Sequence, residues 1–186
     1  MFMSQSLPAW VDPVHQMRQA FEREVKRRSF SRPAPVPPPK ETNRTEEQLL
    51  GDEAEARVQQ FLAWWGYEAQ PTGHNERYDL LIEAETGPVR IEVKASRFKE
   101  HRNGGGRYQA NLRGQADHAD LFVFCLKPDD DLDDWRFFVI PAEAVAGNAS
   151  MCITSRYPEP GKCRSKWMQF LGAWGWVDKI AGGKNA

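Results

Sequence analysis

The fold is decided by the stretch YDLLIEAETGPVRIEVKA, which occupies residues 78–95. It contains two short apolar runs separated by the turn-forming segment Glu85–Pro88. Because Gly and Pro between two apolar runs are typical of the connection between paired strands, the pattern predicts a hairpin. The first strand is expected over Tyr78–Glu83 and the second over Val89–Ala95.

The second strand places charged and apolar side chains on opposite faces. Successive side chains of a strand alternate between its faces, so Glu92 and Lys94 share one face. Ile91 and Val93 point to the other face, where the core is expected. Such a Glu-x-Lys pair alone is most often a surface ion pair, but Asp79 on the neighbouring strand makes it a candidate site.

The residues before the hairpin predict a long amphipathic helix. Thr45–Gln48 has the Thr-x-x-Gln form of a capping box, which satisfies the free amides at a helix start. Gly66 is expected to end the helix, and a short strand is expected around Tyr67–Gln70. The apolar residues that recur at helical spacing are Leu50, Ala54, Val58, Phe61, Leu62 and Trp65.

The residues after the hairpin predict further strands and a second helix. Leu121–Leu126 has the composition of a buried strand, and Trp135–Ile140 predicts another, which Pro141 stops. Tyr108–Leu112 fits a short strand or the start of a helix, and the sequence leaves both open. Near the C-terminus, four apolar residues predict an amphipathic helix: Trp167, Phe170, Leu171 and Trp174.

The chain of 186 residues is long enough for one domain and an appendage. Residues 1–40 combine a helical pattern over Pro13–Arg28 with a Pro-rich segment over Arg32–Pro39, which predicts an extended linker. We therefore expect an N-terminal helical arm and linker over residues 1–40 and the main domain over residues 41–186. Its expected class is α/β, with a mixed central sheet flanked by helices.

Composition narrows the functional classes. The formal net charge of −1 gives no overall attraction to nucleic acid, although a neutral protein can still present a local basic groove. The three cysteines, at positions 125, 152 and 163, lack the spacing of a zinc site, and Cys125 is expected to be buried. No apolar segment is long enough to span a membrane, and Met1–Trp10 lacks the basic start and apolar core that are expected of a secretory signal. We therefore expect a cytoplasmic protein without a membrane partner.

The two adjacent strands bring together the groups that phosphodiester hydrolysis needs. Mg²⁺ typically takes one or two carboxylates and fills its octahedron with water and phosphate oxygens, and Asp79 and Glu92 supply that number. The backbone carbonyl of Val93 could be a further ligand, and Lys94 can orient the attacking water. A further acid is expected from the helix, where geometry alone does not choose between Glu53 and Glu55.

This arrangement resembles the PD-(D/E)XK nuclease superfamily, also called the restriction-endonuclease-like fold. The resemblance covers roughly Thr45–Pro141 and implies an αβββαβ core with a Mg²⁺-dependent site at one edge of the sheet; Mn²⁺ is expected to substitute. It implies Asp79 and Glu92 as catalytic metal ligands and Lys94 as the catalytic lysine. The stretch Gly51–Gly66 resembles the family's helix, which selects Glu55 as a further catalytic carboxylate that would bind the metal or the water. The motif's Pro is replaced here by Tyr78.

The basic residues that follow the second strand suggest where nucleic acid would bind. Four of them lie beside a Gly-rich segment, a placement suited to phosphate contacts: Arg97, Lys99, Arg102 and Arg107. A second, weaker basic cluster spans Arg156–Lys166. Gln109 and Gln115 are possible polar accessories to the site.

The sequence therefore predicts a metal-dependent DNA endonuclease. A homodimer is a natural expectation, because cutting both strands of a duplex at once takes two sites. One alternative is a nucleic-acid-binding or assembly module that keeps the fold without the chemistry. Another is a nuclease that acts on RNA. The sequence does not indicate the target.

Overall fold

The computed structural model of the protein describes residues 44–73, 76–128 and 134–182. The predictions for residues 1–40 lie outside these ranges. The described elements, in chain order, are helix α1 (Glu46–Trp64), strands β1 (Ala69–Pro71), β2 (Leu80–Ala84), β3 (Gly87–Arg97), β4 (Lys99–Glu100), β5 (Gly106–Asn111), β6 (Leu121–Lys127) and β7 (Arg136–Pro141), helix α2 (Ala142–Val145), strand β8 (Ser150–Ile153), a 3₁₀ helix (Lys166–Phe170) and helix α3 (Gly175–Ile180).

Helix α1 begins with the predicted capping box. The Thr45 hydroxyl accepts a hydrogen bond from the backbone amide of Gln48 at 3.2 Å, and the Gln48 side chain accepts one from the Thr45 amide at 2.9 Å. The helix ends at Trp64, and Gly66 follows with a φ of 91°, a conformation that glycine adopts without steric cost. Both ends of the predicted helix are thus confirmed.

The main sheet is mixed, as the sequence predicts. Its five strands lie in the order β1-β2-β3-β6-β7, and every neighbouring pair is antiparallel except the parallel pair β3 and β6. The predicted hairpin is present as β2 and β3, but its first strand begins at Leu80 rather than Tyr78. Tyr78 and Asp79 therefore lie just before the strand.

The αβββαβ core that the resemblance implies is not confirmed. The structure has a second, three-stranded sheet, in the order β4-β5-β8. The described segment between β3 and β6 contains two strands and turns, and no helix. The physical reason is visible in β5, where Tyr108 and Ala110 are buried while Arg107, Gln109 and Asn111 are exposed. Burial that alternates with a period of two is the pattern of a strand, not of a helix.

The prediction of an amphipathic helix near the C-terminus is also wrong. Trp167 and Phe170 are buried on a 3₁₀ helix, and Trp174 precedes the separate short helix α3. Gly172, with a φ of 65°, lies between the two helices and turns the chain away from a continuous helix. The apolar spacing correctly indicated that Trp167, Phe170 and Trp174 are buried. These residues do not lie on one α-helix, however.

The two faces of the main sheet are covered by different elements. Helices α1 and α3 pack on one face, against apolar residues that include Leu80, Ile91 and Val139. The small sheet and the 3₁₀ helix pack on the other face, around Phe122 and Phe138. Cys125 is fully buried, as predicted. No helix among the described residues is long and apolar enough to cross a membrane.

One ion pair fixes where the parallel strands β3 and β6 meet. The Asp120 carboxylate accepts hydrogen bonds from the Arg90 backbone amide at 2.8 Å and from its guanidinium at 3.0 and 2.8 Å. In return, the Asp120 amide donates to the Arg90 carbonyl at 2.8 Å. The hydrogen bonds from Arg90 lower the pKa of Asp120 below its ordinary value, although partial burial opposes them.

Asp120→Asn is expected to destabilise the protein by about 1–2 kcal/mol at pH 7, because three donors lose a charged acceptor. The folded pKa of Asp120 is depressed, so its contribution exists above the ordinary carboxyl pKa and is lost as pH falls through the folded value. Urea unfolding at pH 7 and pH 3 would measure both effects. Glu159→Gln, which breaks an exposed pair with Lys162, should change nothing measurable. Equal stability of Asp120→Asn and the parent at pH 7 would contradict the assignment.

Candidate active site

Asp79 is tied to strand β3 through both its backbone and its side chain. Its amide donates to the Ile91 carbonyl at 2.9 Å, and its carboxylate accepts a hydrogen bond from the Val93 amide at 2.7 Å. The side chain thus continues the strand pairing one step beyond Leu80, which is paired with Ile91. The same register places Asp79 beside Glu92.

Glu92 and Lys94 form the ion pair that their spacing allows. The Lys94 ammonium contacts the Glu92 carboxylate, and Glu92 is only 7% exposed. Burial raises the pKa of Glu92, and the charge of Asp79 adds to this, while the hydrogen bond from Lys94 opposes it. Burial likewise raises the pKa of Asp79, against the opposing hydrogen bond from Val93 and charge of Lys94.

The carbonyl of Val93 lies on the same side of β3 as Asp79. The amide and the carbonyl of one strand residue point to the same neighbouring strand. Since the Val93 amide donates to Asp79, its carbonyl also points toward the β2 side of the strand, beyond the end of β2. This oxygen therefore points to the edge of the sheet at which Asp79 lies.

The structure distinguishes the two helical acids that the sequence left open. Glu53 is held by Lys127 at 2.9 Å and by Arg57 at 3.4 Å; although its partial burial raises the pKa of its carboxyl, these cations lower it overall. Glu55 has the opposite environment. Burial, together with the negative charges of Asp79, Asp52 and Glu92, raises the pKa of Glu55 to about 7.

A cleft of about 440 Å³ opens between the first half of α1 and the chain that precedes β2. Glu55 and Asp79 both line it, and Gly51 lies on the same wall. A Cβ added at Gly51 would meet no atom within 4 Å, so the wall is open at this position. Other lining residues are Arg44, Gln48, Asp52, Thr72, Gly73, Glu76 and Tyr78.

The residues at this sheet edge fit a two-carboxylate cation site better than a three-carboxylate one. Within the described ranges, no group of three or more His, Cys, Asp or Glu side chains is placed to hold a metal ion. Two carboxylates are the number that Mg²⁺ typically takes. Burial is the largest cause that raises the pKa of Asp79, Glu92 and Glu55, and a divalent cation held beside these acids would favour their charged forms.

Two more residues contribute to the site: Thr72, which the sequence did not indicate, and Gln115, which it indicated as a possible polar accessory. The Thr72 hydroxyl donates to the Tyr78 carbonyl, and the Thr72 amide donates to the Asp79 carbonyl at 3.0 Å, which anchors the chain before β2. In the amide orientation that suits its neighbours, Gln115 accepts from the Lys94 ammonium at 3.3 Å and donates to the Asn111 carbonyl at 3.1 Å. In the sequence, the polar side chain of Gln115 is the only feature that indicates a role for this residue.

The four basic residues predicted to bind nucleic acid are spread over β3, β4, the following turn and β5. Arg97 lies 4.0 Å from Glu46, and Lys99 lies 3.7 Å from Glu47, both acids being at the start of α1. Arg102 and Arg107 are exposed. Exposed ion pairs of this kind are weak, so a phosphate can replace either acid at little cost.

Comparison with solved structures shows the fold to be one that a nuclease uses. The bacterial homing endonuclease I-Ssp6803I superimposes with a TM-score of 0.56 over 76% of this chain and 99% of that enzyme, with 17% sequence identity. No protein-family model and no curated protein matches the sequence. The likeness is therefore one of fold, which agrees with the mixed α/β architecture.

Glu55→Gln is expected to stabilise the protein at pH 8 by about 1–2 kcal/mol, after allowance for partial exposure. The folded pKa of about 7 exceeds the ordinary 4.5, so the folded state binds more protons between these values and loses stability as pH rises through them. At pH 4 the variant and the parent should be equally stable. Urea unfolding across this pH range is the measurement.

Glu53→Gln is the matched control on the same helix. Its pKa is lowered by its cationic partners, so its loss should destabilise the protein at pH 8. If Glu55→Gln also destabilised the protein at pH 8, the raised pKa assigned to Glu55 would be wrong.

Proposed function

We propose that the protein is a metal-dependent DNA endonuclease of the PD-(D/E)XK type. The observation that carries the proposal is the juxtaposition of Asp79, Glu92 and Lys94 at the end of the hairpin, with Glu55 across the adjoining cleft. The fold shared with a homing endonuclease supports it. DNA as the substrate, and Mg²⁺ or Mn²⁺ as the cofactor, are part of the proposal.

The protein's own groups would divide the work of hydrolysis. Asp79 and Glu92, with the Val93 carbonyl, would hold the cation, which lowers the pKa of bound water and offsets charge on the phosphate. Lys94 would donate a hydrogen bond to the attacking water or to a phosphate oxygen. Glu55, with a pKa of about 7, is suited to accept a proton from that water near neutral pH.

The substrate would lie across the mouth of the cleft, beside the basic residues. Cleavage would leave a 5′-phosphate and a 3′-hydroxyl, as the resemblance to this superfamily implies. A duplex has two antiparallel strands, so one site per chain favours a homodimer for cutting both at once. The repulsion between the carboxylates at the site would be tolerated because the apolar layers on both faces of the main sheet stabilise the fold.

Asp79→Asn and Lys94→Ala are each expected to reduce Mg²⁺-dependent nicking by at least about 100-fold, because each removes a group that acts on the reacting phosphate or water. Conversion of supercoiled plasmid to open-circle and linear forms would measure this. The assay should also include single-stranded, flapped and four-way-junction DNA, and RNA of equal length.

Glu83→Gln is the matched control for these variants. Glu83 is an exposed acid on the same hairpin, so its loss should leave cleavage intact. Equal cleavage by the parent, Asp79→Asn and Lys94→Ala would contradict the proposal. DNA binding without cleavage by the parent, in either Mg²⁺ or Mn²⁺, would favour the non-catalytic module instead.

Replacing Arg97, Lys99 and Arg102 together by Ala should flatten the dependence of DNA affinity on salt. Each lost phosphate contact is expected to reduce the slope of log K against log salt by about 0.9. Fluorescence anisotropy at several salt concentrations would give the slopes. Lys179→Ala, on helix α3, is the control. An unchanged slope in the triple variant would remove these residues from the interface.

A further inference from the structure

The outward face of the sheet formed by β4, β5 and β8 is polar throughout. On β5, Arg107, Gln109 and Asn111 are exposed, while the residues between them are buried. On β8, Ser150 is exposed and Cys152 is half-buried, and they alternate with two fully buried residues. We call this polar face the reading face.

The register of the strands arranges these side chains in rows. Gln109 pairs with Cys152, and Asn111 pairs with Ser150. At the other end, Arg107 pairs with Lys99, so two cations stand directly opposite one another. Like charges at directly opposed positions destabilise a sheet, and among the described residues Lys99 has a distant, exposed contact to Glu47 as compensation. A polyanion on this face would relieve the repulsion.

The side chains have the chemistry that distinguishes base pairs. Arg donates two hydrogen bonds to guanine, Gln and Asn pair in a bidentate way with adenine, and Ser contacts either. Successive exposed residues of a strand are about 6.6–6.8 Å apart, close to two steps of about 3.4 Å along DNA. The major groove, about 12 Å wide, admits a two-stranded β-ribbon, and β5 and β8 are an antiparallel pair within the three-stranded sheet.

The reading face is fixed rigidly to the candidate active site. The Gln109 amide donates to the Ser96 hydroxyl at 3.3 Å, and Ser96 lies two residues beyond Lys94 on the same face of β3. Underneath, the rings of Phe98 and Tyr108 are in contact, with centroids 5.1 Å apart. A Cβ at Gly106 would lie 2.5 Å from the Phe98 ring, so β4 and β5 pack closely here.

From these observations we infer that the reading face enters the major groove of duplex DNA and selects the cleavage site by contacting base edges. The inference rests on the proposed function, since the DNA that is read is the DNA that would be cut. Arg107 reads a guanine, and Gln109 reads an adenine about two base pairs away. The link through Ser96 sets the distance between the bases read and the phosphate at Lys94.

Binding-site selection from a randomised duplex library tests this directly. The full chain carrying Asp79→Asn, in Ca²⁺, would be compared with the same chain carrying Arg107→Ala or Gln109→Ala in addition. The parent should prefer specific bases at two positions. Each substitution should relax one of them by roughly 5- to 150-fold, the range for one bidentate contact. Arg97→Ala is the control, expected to weaken binding to all sequences alike.

Unchanged base preferences in both variants would overturn the inference. So would an unsubstituted protein that cuts DNA with no base preference, although the proposed endonuclease activity would then stand. An unsubstituted protein that selects a sequence but never cleaves it in Mg²⁺ or Mn²⁺ would overturn the activity and leave the reading face supported. Equal affinity for duplex RNA would contradict major-groove reading, because that groove is too narrow in RNA for side chains to read.

Two further measurements are independent of the selection. Bound cognate duplex should protect Cys152 from alkylation, whereas a scrambled duplex should not, and equal labelling with both would contradict the placement. Arg107→Ala should unfold at the same or a higher temperature than its parent, because one of two opposed cations is removed. A lower unfolding temperature would mean that Arg107 serves the fold instead of a ligand.

Discussion

The candidate site depends on one hydrogen bond, from the Val93 amide to the Asp79 carboxylate. It continues the hairpin past the end of β2 and so brings an acid beside the buried Glu92. The sheet thereby holds carboxyl groups where burial raises the pKa of Asp79, Glu92 and Glu55, and neighbouring negative charges add to this for Glu92 and Glu55. Acids whose pKa values are perturbed in this way are typical of functional sites.

The rest of the architecture makes this placement tolerable. Apolar layers cover both faces of the main sheet, and the Arg90–Asp120 pair sets where β3 and β6 meet. The helix α1 has two acids with opposite environments: Glu53 is neutralised by Lys127, whereas Glu55 faces further acids. Two residues, or about half a turn of the helix, thus separate a structural ion pair from a group suited to proton transfer.

Sequence patterns predicted the parts of the fold that have local causes. The capping box and Gly66 set the bounds of α1, and apolar alternation located β3. The segment after β3 was harder, because Tyr108–Leu112 fits a strand or a helix until Met151 and Ile153 of the distant β8 pack beside it. Glu55 could not be separated from Glu53 by spacing, since the difference lies in Lys127, 74 residues away from Glu53. Thr72 gave no signal, because its role is a backbone anchor.

The central claim is that Asp79 and Glu92 together hold a divalent cation. Calorimetric titration with Mn²⁺ and Mg²⁺, on the parent, Asp79→Asn and the exposed-acid variant Glu83→Gln, tests it most directly. The account predicts binding by the parent and by Glu83→Gln, and at least about 10-fold weaker binding by Asp79→Asn. No binding by the parent, or equal binding by all three proteins, would contradict it.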